Sequence, residues 1–389
     1  MTRSNDRKGE RIGSSRRTFL KTTTAAGVVG LTGLSASSAA AQTTLNVLTW
    51  EEFDAPEFKE PIQSKLDVRL NVTKSTSSAK MFSSWNAGQY QQYDIAVPNN
   101  NYVPKMMDAD LLAPVNRDVV SNWDSIYDTF KQFATTQFTA GDQTTATETG
   151  IQAEIYGVPI RFGWYGYGYD TRNVPEHDPS YKIMFEEDYV DADLNGKIIL
   201  YDNHFKTMGA TALYLGHQDA FEGQRVTLSE DQIQEVKQTL IDQKPQLQGY
   251  IAADPTYIKN FRQGNFWVGH SGRNEIVEMW ANGDDWPEFV APQEGSLAWF
   301  ESAVVSKASQ NKETAWQVIN EFISAENGAQ LGKVGFSPSV NPDTSENLSD
   351  EENELYGSIE ASRLEDFIPF KAVENEEAWI TAWEEVKTA

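Results

Sequence analysis

From residue 45 onward, short apolar runs alternate with stretches whose apolar positions recur at helical spacing. "LNVLTW" at 45–50 reads as a strand, then a helix over 56–65, the strand "VRLNVTK" at 68–74, a helix over 76–88, "YDIAVPN" at 93–99 and a helix over 102–110. That order predicts an α/β fold with a largely parallel sheet. Polar, Thr-rich residues 135–153 read as a long surface loop. A run of aromatics and glycines, "YGVPIRFGWYGYGYD" at 156–170, follows as strand. A second series then begins: the strand "GKIILYDNH" at 196–204, a helix over 207–217, and a helix over 229–244 that Ser229 caps. "NFWVGH" at 265–270 is a strand, as is "GSLAWFESAVVSKAS" at 295–309, with a helix over 312–325 behind it. The acidic stretch 343–354 reads as a solvated turn before the C-terminal helices.

The first strand runs straight into Trp50, Glu51 and Glu52. In open α/β sheets the carboxyl ends of strands are where ligands bind. The plainer alternative makes Trp50 a core residue and Glu52 a helix-starting charge. Trp299 and Glu301 sit two apart in a strand, so alternation turns ring and carboxylate to one face and Phe300 to the other.

The first 41 residues do not read as fold. Arg16 and Arg17 sit in "SRRTFLK", an apolar but Gly-rich stretch follows, and Ala39-Ala40-Ala41 offers a cleavage site. This is the pattern of a twin-arginine export signal cut after Ala41, which predicts a protein exported to the outside of the cytoplasmic membrane. No run later in the chain approaches the ~20 apolar residues of a spanning helix.

The chain is 389 residues long with a formal charge of −25. Its first 41 residues hold seven basic and two acidic side chains, so the other 348 carry −30. That excludes nucleic acid or an anionic membrane as main partner, since either needs a basic patch. Acids spread along the whole chain fit adaptation to high salt, where long-range attraction is screened within a few ångströms. There is no cysteine, which removes disulfides, thiolate chemistry and a cysteine-linked lipid; the four histidines lack zinc-site spacing. No phosphate loop, dinucleotide fingerprint or nucleophile elbow occurs, and no cofactor is expected.

Taken in order, "TWEEFDAP", "YDIAVPNNNYVPKMMDADLLAPV", "YGVPIRFGWYGYGYD", "GKIILYDN", "FRQGNFWVGHSG", the 291–323 stretch around "SLAWFES" and "VGFSPSVNP" resemble the spermidine/putrescine-binding family among the extracellular solute-binding proteins of ABC importers. The resemblance implies a two-lobed periplasmic-binding-protein-like fold of type II with the ligand in the interlobe cleft. It places crossovers near 161–166 and 299–302. Lobe one would be 42–162 plus about 300–336, lobe two 163–299, and 337–389 a C-terminal segment packing on the lobes. It also implies a monomer that captures a small amine and delivers it to permease subunits, after export by the twin-arginine translocase.

A polyamine site needs aromatic walls for methylenes and carboxylates for ammoniums, and ring faces attract ammoniums by about 0.5 to 2 kcal/mol each. The resemblance carries ligand roles to Trp50, Glu51, Glu52, Asn101, Tyr102, Asp202, Asn203, His270, Trp299 and Glu301. Asn203 stands where relatives have an acid, and Lys206 where a carboxylate is expected. Lys206 or Arg273 facing the cleft would imply a zwitterionic, carboxylated or thiamine-like amine instead. Three other classes compete. A secreted carboxylate-dependent hydrolase is disfavoured because adjacent Glu51 and Glu52 point to opposite sides. A surface interaction protein would need a flat exposed patch rather than a cleft. Ferric-ion carriers of this kind use neighbouring tyrosines, and here Tyr102 stands alone.

Overall fold

A computed structural model describes residues 42–140, 154–357, 359 and 361–389. Arg16, Arg17 and the alanine site lie outside the described residues, as does most of the Thr-rich stretch. Residues 42–389 form one compact unit.

The strands are β1 (Thr43–Thr49), β2 (Val68–Lys74), β3 (Ile95–Ala96), β4 (Leu112–Ala113), β5 (Val158–Asp170), β6 (Ile198–Tyr201), β7 (Leu247–Ile251), β8 (Val268–Gly272), β9 (Pro287–Val290), β10 (Ser296–Ser306) and β11 (Phe367–Pro369). The main helices are α1 (Pro56–Leu66), α2 (Ser78–Asn86), α3 (Val103–Asp108), α4 (Asp128–Gln137), α5 (His204–Tyr214), α6 (Glu230–Gln243), α7 (Asp254–Arg262), α8 (Arg273–Ala281), α9 (Lys312–Phe322), α10 (Ala325–Gly335), α11 (Asp350–Tyr356) and α12 (Glu376–Thr388). The sheet runs β2-β1-β3-β10-β5-β8-β6-β7, with β4 and β11 beside β10 and β9 beside β5. β1 to β3 are parallel among themselves, as are β6 to β8, while β5 and β10 run antiparallel to each other.

β5 and β10 each serve both ends. Residues 158–164 of β5 pair with β10, and 165–170 pair with β8 and β9. The cores divide at the same place. Phe162, Trp164, Ala298 and Phe300 join the core built on β1, α1, α4 and α9. Tyr165, Tyr167, Leu297 and Trp299 join the core built on β6, α5, α6 and α12. The halves are therefore hydrogen-bonded into one continuous sheet through these two long strands rather than standing as separate sheets.

Local chemistry explains most element boundaries. α6 opens with a reciprocal capping box between Ser229 and Gln232. α5 starts three residues earlier than its apolar period suggests, because the Asn203 side chain accepts from the Lys206 amide and caps it. The acidic stretch after 343 is more ordered than expected: Ser349 and Glu352 form a second capping box and set the start of α11. β11 pairs with residues 296–298 of β10, and α12 packs on α5 and α6.

Candidate functional site

Register decides which side chains share a face. In the β5–β10 ladder Arg161 faces Glu301 and Gly163 faces Trp299; in β5–β8, Tyr165 faces Gly272 and Tyr167 faces His270. Residues directly opposite in an antiparallel pair lie on the same side. Arg161, Trp299, Glu301, Tyr165 and His270 thus line one continuous face. Gly163 is required there, since a Cβ on it would lie 2.6 Å from the Trp299 ring. Phe300 turns to the opposite face and packs on Phe130 and Phe133 at centroid distances of 5.3 and 4.7 Å. A cavity of about 570 Å³ lies on that side, lined by Phe130, Phe133, Phe162 and Phe300. It offers rings and no buried carboxylate.

On the charged face, both Glu301 oxygens are engaged. Arg161 donates to them from Nε at 2.7 Å and from Nη2 at 2.8 Å, and Nη2 also reaches Glu52 Oε1 at 3.1 Å. Nη1 leans on the Gly335 carbonyl at 3.4 Å, where a side chain at 335 would collide with it. Burial pushes the Glu301 carboxyl up to about 7 against the pull of Arg161, and Arg161 is held above its ordinary value by the two glutamates despite its burial. The two-pronged geometry is that of an ionised pair. Glu301, expected as a free carboxylate for an ammonium, instead holds Arg161. Arg161 itself was not among the expected site residues.

The second half contributes a different cluster. Lys206, in the first turn of α5, places its ammonium 4.0 Å from the Tyr201 ring centroid and 4.6 Å from that of Tyr165. It is half-buried and has no hydrogen bond or ion pair among the described residues. Burial lowers its pKa, partly offset by Asp254. The Tyr201 hydroxyl donates to Glu275 Oε1 and lies 3.3 Å from Asp254 Oδ1. Glu275 is buried and pushed up to about 8 by that burial, with Oε2 lacking a partner. Asp254 is raised by burial; Lys206 pulls it down, and Glu52 and Arg161 of the other half also act on it. The two clusters are therefore within electrostatic reach of each other across the halves. Asp254 and Glu275 were not anticipated from the sequence.

The remaining expected residues divide. Trp50 is half-buried against the first core, with its Nε1 buried and unpartnered. The indole of Trp299 and Oδ1 of Asn101 are buried and unpartnered too. His270 is fully buried, with Tyr201 and Tyr165 rings 5.5 and 5.7 Å away and neither nitrogen partnered; burial, helped by the Lys206 charge, lowers it to about 3. Glu51 is exposed and only loosely paired with Lys74 at 3.5 Å. Tyr102 carries the Lys105 ammonium 4.6 Å over its ring. Asp202 lies apart from the cluster: it takes the Trp383 indole and the Lys387 ammonium of α12, each at 3.3 Å. Asn203 is spent as the α5 cap. Arg273 is tied to the Leu355 and Glu354 carbonyls beside α11, at 2.6 and 3.3 Å. Of the two cations in question, Lys206 is the one that joins the site face. Among the described residues no group of His, Asp and Glu could hold a metal ion, and no helix is long and apolar enough to cross a membrane.

Comparison with known proteins agrees with this arrangement. The putrescine-binding periplasmic protein SpuD of Pseudomonas aeruginosa is 19% identical over 387 residues, covering 96% of this chain and 98% of that protein. The lipoprotein TpPotD of Treponema pallidum superposes with a TM-score of 0.71 at 18% identity, over 89% of this chain and all of that one. AgtB of A. tumefaciens R10, solved in complex with agropinic acid, superposes with a TM-score of 0.60 at 18% identity, over 89% of this chain and 96% of that one. Both structural neighbours share the two-lobed architecture of substrate-binding proteins. The model of the bacterial extracellular solute-binding proteins matches residues 38–354, so the chain belongs to that family, which binds solutes rather than transforming them.

Proposed function

We propose that the protein is the extracellular capture component of an ABC importer, which takes up a small amine-bearing solute of the polyamine type and hands it to permease subunits. The observation that carries this reading is the single face on which Trp299, Tyr165, Glu301 and Glu52 meet Tyr201, Asp254 and Glu275 from the other half. Rings can cover methylenes and attract an ammonium, and carboxylates already fixed by hydrogen bonds give preference for cations. Relatives named for putrescine support an amine, and the agropinic acid complex of a neighbour adds that this fold also accommodates an acid. In this reading residues 42–162 with 300–336, and 163–299, act as lobes that close about β5 and β10, with 337–389 packed on both. Arg16 and Arg17 direct export, the protein works outside the cytoplasmic membrane as a monomer, and its acidic surface suits a saline medium.

Thermal unfolding of the purified protein in concentrated salt tests the proposal against diamines, polyamines, amino acids and thiamine. A true ligand at a hundred times its dissociation constant adds about 2.7 kcal/mol of stability. A flat response to every amine overturns the amine reading. Trp299→Ala should abolish the response of whichever amine binds; an unchanged response would move the site elsewhere.

A further inference from the structure

Counting donors and acceptors on the site face gives an asymmetry that a simple polyamine cannot satisfy. A fully protonated diamine has only donors, as does any ammonium. The face holds three donor groups without acceptors: the indole N–H groups of Trp50 and Trp299, buried, and the half-buried Lys206 ammonium. Indole nitrogen and ammonium can only donate, so a diamine would leave all three unmatched, and buried unmatched donors cost about 1 to 3 kcal/mol each. The face also holds the unpartnered acceptor Asn101 Oδ1 and the carboxylates of Glu52 and Asp254.

Lys206 makes the point sharper. An ammonium resting on two tyrosine rings, with Asp254 in reach, is the arrangement by which an aromatic and acidic box holds an amine. Here the chain's own side chain fills the box. A second cation entering beside it would meet repulsion, while an anion would find an unpaired positive charge.

Resting on the amine reading above, we propose that the solute is a zwitterion, an amine that also bears a carboxylate. Its carboxylate is received by Lys206 and the indole N–H groups of Trp299 and Trp50, and its ammonium by the carboxylates of Glu52 and Asp254. Arg161 stays with Glu301 and shapes the floor between the two ends.

Titration calorimetry of the purified protein, at one fixed ionic strength, compares straight-chain ω-amino acids with diamines and fatty acids of matching length. The amino acid of best length should bind at least about tenfold tighter than its diamine, a difference of about 1.4 kcal/mol. It should also bind at least tenfold tighter than the fatty acid. Lys206→Gln, which keeps the side chain polar and removes the charge, should erase that preference or reverse it toward the diamine. A diamine that binds the unmodified protein as tightly as the amino acid overturns the zwitterion while leaving the amine reading in place. A fatty acid that binds as tightly as the amino acid, or no binding by any amine, overturns the amine reading itself. An unchanged preference in Lys206→Gln overturns the role given to Lys206.

Discussion

The Arg161 cluster and the Lys206 cluster face each other across the two halves and differ in one respect, how completely their charges are paired. Arg161 spends its donors on Glu301, Glu52 and Gly335, and Glu301 returns both its oxygens. Lys206 has rings beneath it, an acid in reach, and no acceptor on its ammonium. A buried charge with every valence met is part of the architecture; removing its partner strands another charge. A half-buried charge with none met is held in readiness for something that arrives. The same residue types thus serve opposite ends, and pairing separates them better than burial or position in the chain does.

The comparison breaks most visibly through Arg161→Met. Two buried glutamates would lose their counter-charge, and the cost should be about 3 to 5 kcal/mol, read from the midpoint of urea unfolding. A change below 1 kcal/mol would show the triad to be as loosely held as Lys206. Next in size is the alkaline behaviour of Glu275. Its pKa in the folded protein is raised to about 8 from an ordinary value near 4.5, so its favourable contribution is complete below that ordinary value and is lost as pH rises through 8. Unfolding measured at pH 5 and pH 9 should show a loss with rising pH, and Glu275→Gln, neutral throughout, should remove on the order of 2 kcal/mol of it. An identical pH dependence in the variant would mean that Glu275 is solvated and no part of a desolvated site. The smallest effect belongs to Lys206→Met. With no pair to break, unfolding should shift by less than about 0.5 kcal/mol, in either direction, as for an ordinary surface change. A loss comparable to Arg161→Met would make Lys206 structural.

Much of this molecule is legible in its sequence, and the exceptions have physical causes. The alternation in "SLAWFES" is enough to set Trp299 and Glu301 on one face and Phe300 on the other, because the period of a strand is a local property. The start of α6 is equally local, resting on Ser229 and a residue three positions on. Arg161 is different. It meets Glu301 across 140 residues, and which cation will lie opposite which acid depends on register between strands distant in sequence. Asp254 and Glu275 escape notice because the chain has 57 acidic residues, so no local pattern marks two of them as buried. Asp202 sits where a ligand carboxylate belongs by strand position, and the docking of α12 claims it with Trp383 and Lys387.

α12 has one more contact of consequence. Glu376, at its first turn, pairs with Lys105 on α3, packed beside the first core, and comes within 3.4 Å of His204 on α5, packed in the second. His204 and Lys105 together hold its carboxyl down to about 2. Any opening of the halves about β5 and β10 has to part Lys105 from Glu376, so this ion pair acts as a weight on the balance between open and closed forms. A binding protein's apparent affinity scales with the fraction of molecules in the competent form. Affinity can therefore be retuned from a helix at the end of the chain, by exchanging a single charge, with every residue that touches the solute left as it is.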